Sequence, residues 1–146
     1  MASRLLNAAE ILLREGSGST AFRRRAVSTA YYAIFHARAK LCSDYVTRSA
    51  PRGSEEYSRV YRSLDHGPLK NVFGQSPLKD NKALSRIGAI VVRLQAERHK
   101  ADYLPPTVGA FSRGEARELI DLARVALVEI EKLKPNQKDC RMLPTC

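Results

Sequence analysis

Four long segments of this chain carry apolar residues three and four apart, and no segment alternates apolar and polar residues with a period of two. That pattern excludes a sheet and leaves helix-on-helix packing as the way to bury an apolar core. Residues 3–15 set Leu5, Leu6, Ala9, Leu12 and Leu13 at helical spacing, and Gly16 to Gly18 supply the stop and the turn. Ser19 or Thr20 can cap a second helix running from about Ala21 to Asp44, with Ala26, Ala30, Ala33, Ile34, Ala37 and Leu41 on its inner stripe. The small alanines allow a close helix neighbour. Asp80 or Asn81 can cap a long helix to about Tyr103, with Leu84, Ile87, Val91 and Leu94 along one side and Arg98 at the end of it; Pro105 and Pro106 stop it. Ser112 and Glu115 form a capping box for a last helix through about Leu133, whose stripe is Leu119, Leu122, Ala123, Ala126, Leu127 and Ile130.

Between these segments the chain is irregular. Residues 45–54 have no periodicity and form a basic loop with Arg48 and Arg52; Ser54, Glu55 and Glu56 then open a short helix to about Leu64. A further turn fits Pro68 to Phe73, before a break at Gly74 to Pro77. From Pro135 onward the composition is that of a frayed tail. The expected architecture is all-α: an up-and-down four-helix bundle with additional short helices, one domain over residues 1–134 and a flexible tail over 135–146.

Composition narrows the function classes. With 44% apolar and 27% charged residues, wholesale disorder is excluded and 146 residues suffice for one core without disulfides or metal. No apolar run approaches the roughly 20 residues of a membrane span, and the first residues lack the order of a signal peptide, so a cytoplasmic protein is expected. Cys42, Cys140 and Cys146 give neither an even disulfide set nor a metal spacing, and the three histidines show no ligand pattern; no metal or cofactor is expected. The net charge of +10 is uneven: residues 16–100 hold 16 Lys and Arg against 6 Asp and Glu, whereas residues 113–134 hold five of each. Such a surplus favours polyanions through counterion release.

Two stretches concentrate groups fit for chemistry on a phosphate backbone. Arg93, Arg98, His99, Asp102 and Tyr103 share the last turns of the long helix. A histidine exchanges protons near neutral pH and an arginine fork matches a phosphate. Arg25, Thr29, Tyr32 and His36 fall nearly in line on the second helix, as a hydrogen-bonded network or as a wall of a substrate cleft. The arginines have bland alternatives in ion pairs four residues apart, Arg93 with Glu97 and Arg98 with Asp102. On a straight helix His99 points about 120° away from Arg93, so the two converge only if the helix end distorts or a second subunit contributes. His66, at a turn, fits a structural role.

Ala26-Val-Ser-Thr-Ala-Tyr-Tyr-Ala-Ile-Phe-His36, Arg98-His-Lys-Ala-Asp-Tyr103 and, between them, Leu64-Asp-His-Gly-Pro-Leu-Lys70 with Phe73 resemble the HEPN domain family, in order and spacing over about residues 3–133. The resemblance implies a helical HEPN-like bundle, found in toxin-antitoxin pairs beside nucleotidyltransferases. Ribonuclease members carry an arginine and a histidine a few residues apart, and two copies meet at a cleft; Arg93 and His99 fit that spacing, with Leu94 where those members usually have a polar residue. The implied activity is a metal-independent endoribonuclease toxin, or a decayed relative, acting on RNA as a homodimer with a nucleotidyltransferase-type antitoxin. His99 would be general base or acid, Arg93 and Arg98 would stabilise phosphate charge, and Asp102 would orient Arg98 or His99. Tyr103, Arg25, Tyr32, His36, Arg48 and Arg52 would bind substrate, with Arg23 and Arg24 helping to hold the backbone. The alternative is a non-catalytic nucleotide- or RNA-binding module that partners the nucleotidyltransferase. A third reading is a helical interaction domain whose charges keep it in solution.

Overall fold

The structure is a computed structural model that describes residues 1–16, 18–47, 50–63, 82–105 and 111–133. Among these, all regular structure is helical: α1 (Ala2–Glu15), α2 (Thr20–Val46), α3 (Glu55–Ser63), α4 (Lys82–Tyr103) and α5 (Arg113–Lys132). The segment 64–81, with His66 and the expected caps Asp80 and Asn81, lies outside the described residues, as do Arg48 and the tail from 134 onward.

The bundle is organised by α2. It packs against all four other helices, and α5 packs against α1, α2 and α4, so α1 and α4 lie on opposite sides of the α2–α5 pair. A helix enclosed in this way cannot be one-sided, because each face meets a neighbour. Ala26, Val27, Ala30, Tyr31, Ala33, Ile34, Ala39 and Leu41 are therefore all buried, a wider set than the single stripe read from the sequence; Ala37 is only half-buried. The alanines let the neighbouring backbones come close, and the large side chains that fill the core are Tyr31 and Ile34 of α2 itself with Leu6 and Leu13, Leu84, Ile87 and Leu94, and Leu119 and Ile120 of the other helices.

The helix ends show how the chain reverses. Gly16 closes α1 with its N–H on the Leu12 carbonyl at 3.0 Å, and Ser19 N–H reaches the Gly16 carbonyl at 2.8 Å. Gly16 has φ −102°, so its need for glycine is spatial: a Cβ there would collide with the Phe22 side chain. Ser19 occupies the N-cap position of α2 without a side-chain cap, and Thr20 Oγ1 instead accepts from Arg23 Nη2 at 3.1 Å. Ser19 thus stands at the expected cap position without making a side-chain cap bond, and Thr20 is the first residue inside the helix, its hydroxyl engaged by Arg23. At α5 the capping box is present as read, Ser112 Oγ accepting from Glu115 N–H at 3.2 Å and Ser112 N–H donating to Glu115 Oε2 at 2.8 Å.

Candidate nucleic-acid interface

Four helix ends meet at one end of the bundle, and the first turn of α2 ties them together. Arg24 Nε donates to the Ala101 carbonyl at 2.7 Å, and its Nη2 reaches the Lys100 carbonyl at 3.1 Å and that of Leu104. The Lys100 carbonyl also accepts from Leu104 N–H at 3.2 Å, whereas Ala101 and Leu104 lie past the last turn's internal bonds, so a charged fork from another helix supplies their carbonyls with a donor and complements the negative end of the α4 dipole. Arg23 Nε donates to the Phe111 carbonyl at 2.7 Å. Phe111 is buried and has φ +53°, a left-handed backbone conformation that costs an L-residue about 1 kcal/mol or more and persists when its surroundings hold it.

With its end fixed, α4 turns Arg98 inward onto α2. The guanidinium carbon lies 5.3 Å from the Tyr31 ring centre, 6.0 Å from Tyr32 and 5.7 Å from Tyr103. Its Nη1 is 3.5 Å from Asp102 Oδ2, and only 11% of the Arg98 side chain is exposed. Each ring face attracts the cation, by ~0.5–2 kcal/mol depending on desolvation. Burial opposes the charge, but Tyr32 and Tyr31 and the hydrogen bonds to Tyr103 and Asp102 outweigh it and raise the Arg98 pKa. Arg98 Nε is buried with no hydrogen-bond partner among the described residues.

Around this fixed cation the helix end is open. Tyr103 is 66% exposed and its ring centre stands 5.1 Å from that of exposed His99. An open cavity of about 560 Å³ runs along Val92, Gln95, Ala96, Arg98, His99, Lys100 and Leu104. Arg93 opens on a different cavity, of about 380 Å³, lined by Glu97, Lys100, Leu104, Pro105, Phe111, Glu115 and Leu119. Lys100 and Leu104 line both cavities. Because α4 runs unbroken through Arg93 and His99, no distortion of the helix brings them together within one chain. Arg93 is paired at 2.9 Å with Glu118 of α5, not with Glu97, whose partner is Lys100 at 3.0 Å.

The polar line read on α2 divides. Arg25 is exposed, and its carbonyl accepts from the Thr29 hydroxyl at 2.8 Å. Tyr32 lies half-buried against Tyr31, ring centres 5.4 Å apart, beneath Arg98. His36 belongs to another neighbourhood: its Nδ1 is hydrogen-bonded to the Tyr61 hydroxyl of α3 and the rings stack at 5.7 Å. Burial, and then the N-terminal amine, push the His36 pKa down. Arg52 reaches back to Asp44 with two bonds, at 3.1 and 3.2 Å, and the Tyr57 hydroxyl donates to the same carboxylate at 3.1 Å.

The structure thus gathers Arg98, Asp102, Tyr103, Tyr32 and His99 at one place. It separates them from Arg93, Arg25, His36 and Arg52, and Arg48 lies outside the described residues. Sequence reasoning missed Tyr31 as a wall of the Arg98 site, Lys100 as the cation beside it and Arg24 as its support. One signal pointed to Arg24: three consecutive arginines near the start of a helix with no acid in its first turn oppose the dipole, unless other groups engage them. Among the described residues no three His, Cys, Asp or Glu side chains cluster as metal ligands, and no helix is long and apolar enough to cross a membrane. Comparisons with protein-family models, curated proteins and solved structures find no match to this chain.

Proposed function

We propose that the chain is a HEPN-type module that binds the phosphate backbone of RNA, or the phosphate of a nucleotide, at the C-terminal end of α4. The observation that carries the reading is the Arg98 guanidinium held among Tyr31, Tyr32 and Tyr103 beside an open cavity, with His99, Lys100 and Tyr103 at the surface next to it. A guanidinium already ordered by rings loses little freedom when an anion arrives, and exposed Tyr103 and His99 rings offer faces on which an unpaired base can stack. In this reading the module works beside a nucleotidyltransferase-type antitoxin and has no turnover of its own. Anisotropy of labelled single-stranded RNA tests it: binding should weaken steeply as salt rises, and salt-independent binding counts against the site.

A second reading, the metal-independent endoribonuclease, is favoured by the placement of exposed His99 on the same cavity as Arg98. It requires a homodimer, because Arg93 of the same chain opens elsewhere. The 2′-oxygen of the RNA would attack the adjacent phosphorus as its proton leaves, the P–O5′ bond would break to give a 2′,3′-cyclic phosphate, and the departing 5′-oxygen would gain a proton; His99 would be the base or the acid of these transfers, and Arg98, with Arg93 of a second copy, would stabilise the charge on the phosphate oxygens. RNA incubated with the protein in EDTA separates the readings. Cleavage that His99→Ala abolishes establishes the ribonuclease; binding without cleavage leaves the module.

A further inference from the structure

The same end of the bundle carries a second cationic concavity, on the side away from α4. It measures about 580 Å³ and is lined by Glu10, Leu13 and Arg14 of α1 and by Arg113, Gly114 and Arg117 of α5. We infer that Arg14, Arg113 and Arg117 form a second contact for an RNA backbone, extending the α4 site across the bundle end; the inference rests on the reading of α4 as an RNA-binding site.

Each of the three arginines is available to a phosphate. Arg14 is 69% exposed and, among the described residues, pairs with its chain neighbour Glu15, itself 63% exposed, a pairing that water and salt weaken. Arg117 lies 3.6 Å from both Glu10 and Asp121, longer than a charge-assisted hydrogen bond and leaving its fork free to turn. Arg113 is exposed, with no carboxylate partner among the described residues. A Cβ built on Gly114 would meet only Ser112 Oγ, at 3.9 Å, so the backbone there is open to approach, and the positive end of the α5 dipole lies beside it.

The two cationic places belong to one surface. The last turn of α1 passes to the first turn of α2 through residues 16–19, and that turn holds the Ala101 and Phe111 carbonyls that bracket the α4–α5 connection. From α4 to α1 is two helix-to-helix steps, on the order of 16–20 Å. A single strand of the 4–16 nucleotides typical of such sites can span it.

The test is the salt dependence of binding to a fluorescein-labelled oligouridylate long enough to reach both places. The triple variant Arg14→Gln, Arg113→Gln, Arg117→Gln should keep its fold by circular dichroism, and its slope of log K against log salt should become less negative by about 2, near 0.7 per lost phosphate contact. Glu10→Gln should tighten binding severalfold, because it removes the carboxylate that lines the concavity and opposes a phosphate there. A folded triple variant with the wild-type slope overturns this second contact and leaves the α4 reading standing. No binding by the wild-type chain overturns both.

Discussion

The two halves of α2 carry the same kinds of side chain and put them to different uses. Toward its N-terminal half, Tyr31 and Tyr32 offer ring faces to Arg98, while His99 and Tyr103 beside it stay open to solvent. Toward its C-terminal half, His36 and Asp44 are occupied by α3 and the loop before it: Tyr61 on the imidazole, Tyr57 and Arg52 on the carboxylate. The first neighbourhood fixes one cation and leaves groups around it for a visitor. The second closes upon itself. An arginine or a histidine on an aromatic helix therefore says little about binding until the facing element is known.

The largest separation between the halves is expected from Arg98→Met, which keeps the packing stem and removes the charge. RNA affinity should fall about ten- to a hundredfold, the equivalent of the ~1.5–3 kcal/mol that a charged hydrogen bond contributes. An unchanged affinity in anisotropy would erase the distinction between the two halves.

Arg24→Gln comes next. Losing a charged donor from the carbonyls at the end of α4 should lower stability by ~1–3 kcal/mol in urea denaturation. Faster amide exchange should be confined at first to the last turn of α4, and if exchange quickens equally in α3, the support is not local.

A smaller effect, confined to the closed half, is expected from pH. Tyr57 is pushed up from 10.0 to about 12, first by burial and then by its hydrogen bond and proximity to Asp44. A raised folded pKa means that the contribution is complete below pH 10 and is lost as pH rises toward 12. His36 is lowered from 6.5, so its contribution is present above 6.5 and is lost as pH falls through the folded value. Melting followed across pH should therefore show α3 loosening at both extremes. Loss confined to one extreme would remove one member of that pair. The smallest change is expected from Arg52→Gln: its side chain is 65% exposed, so water screens the pair with Asp44, the melting temperature should barely move and RNA affinity should drop no more than for any single lost surface charge.

Local signals carried much of the fold. The capping box at Ser112, the C-terminal ends of α1 and α4, and the apolar spacings of α4 and α5 depend on residues close in sequence, and all were legible. The extent of the α2 core was not, since a helix surrounded by four neighbours hides its orientation in its own composition. The site was legible as a list of residue types and not as a grouping. Arg98 and Asp102 meet at the spacing of one helical turn, which sequence shows. Arg93 takes Glu118 instead of Glu97, and a competitor 25 positions away leaves no local trace.

Arg23 and Arg24 are chain neighbours, and between them they hold the carbonyls of Phe111 and Leu104. The end of α4 and the residue that leads into α5 are thus moored to consecutive positions of a third helix, so a displacement of α2's first turn is passed to both of them at once.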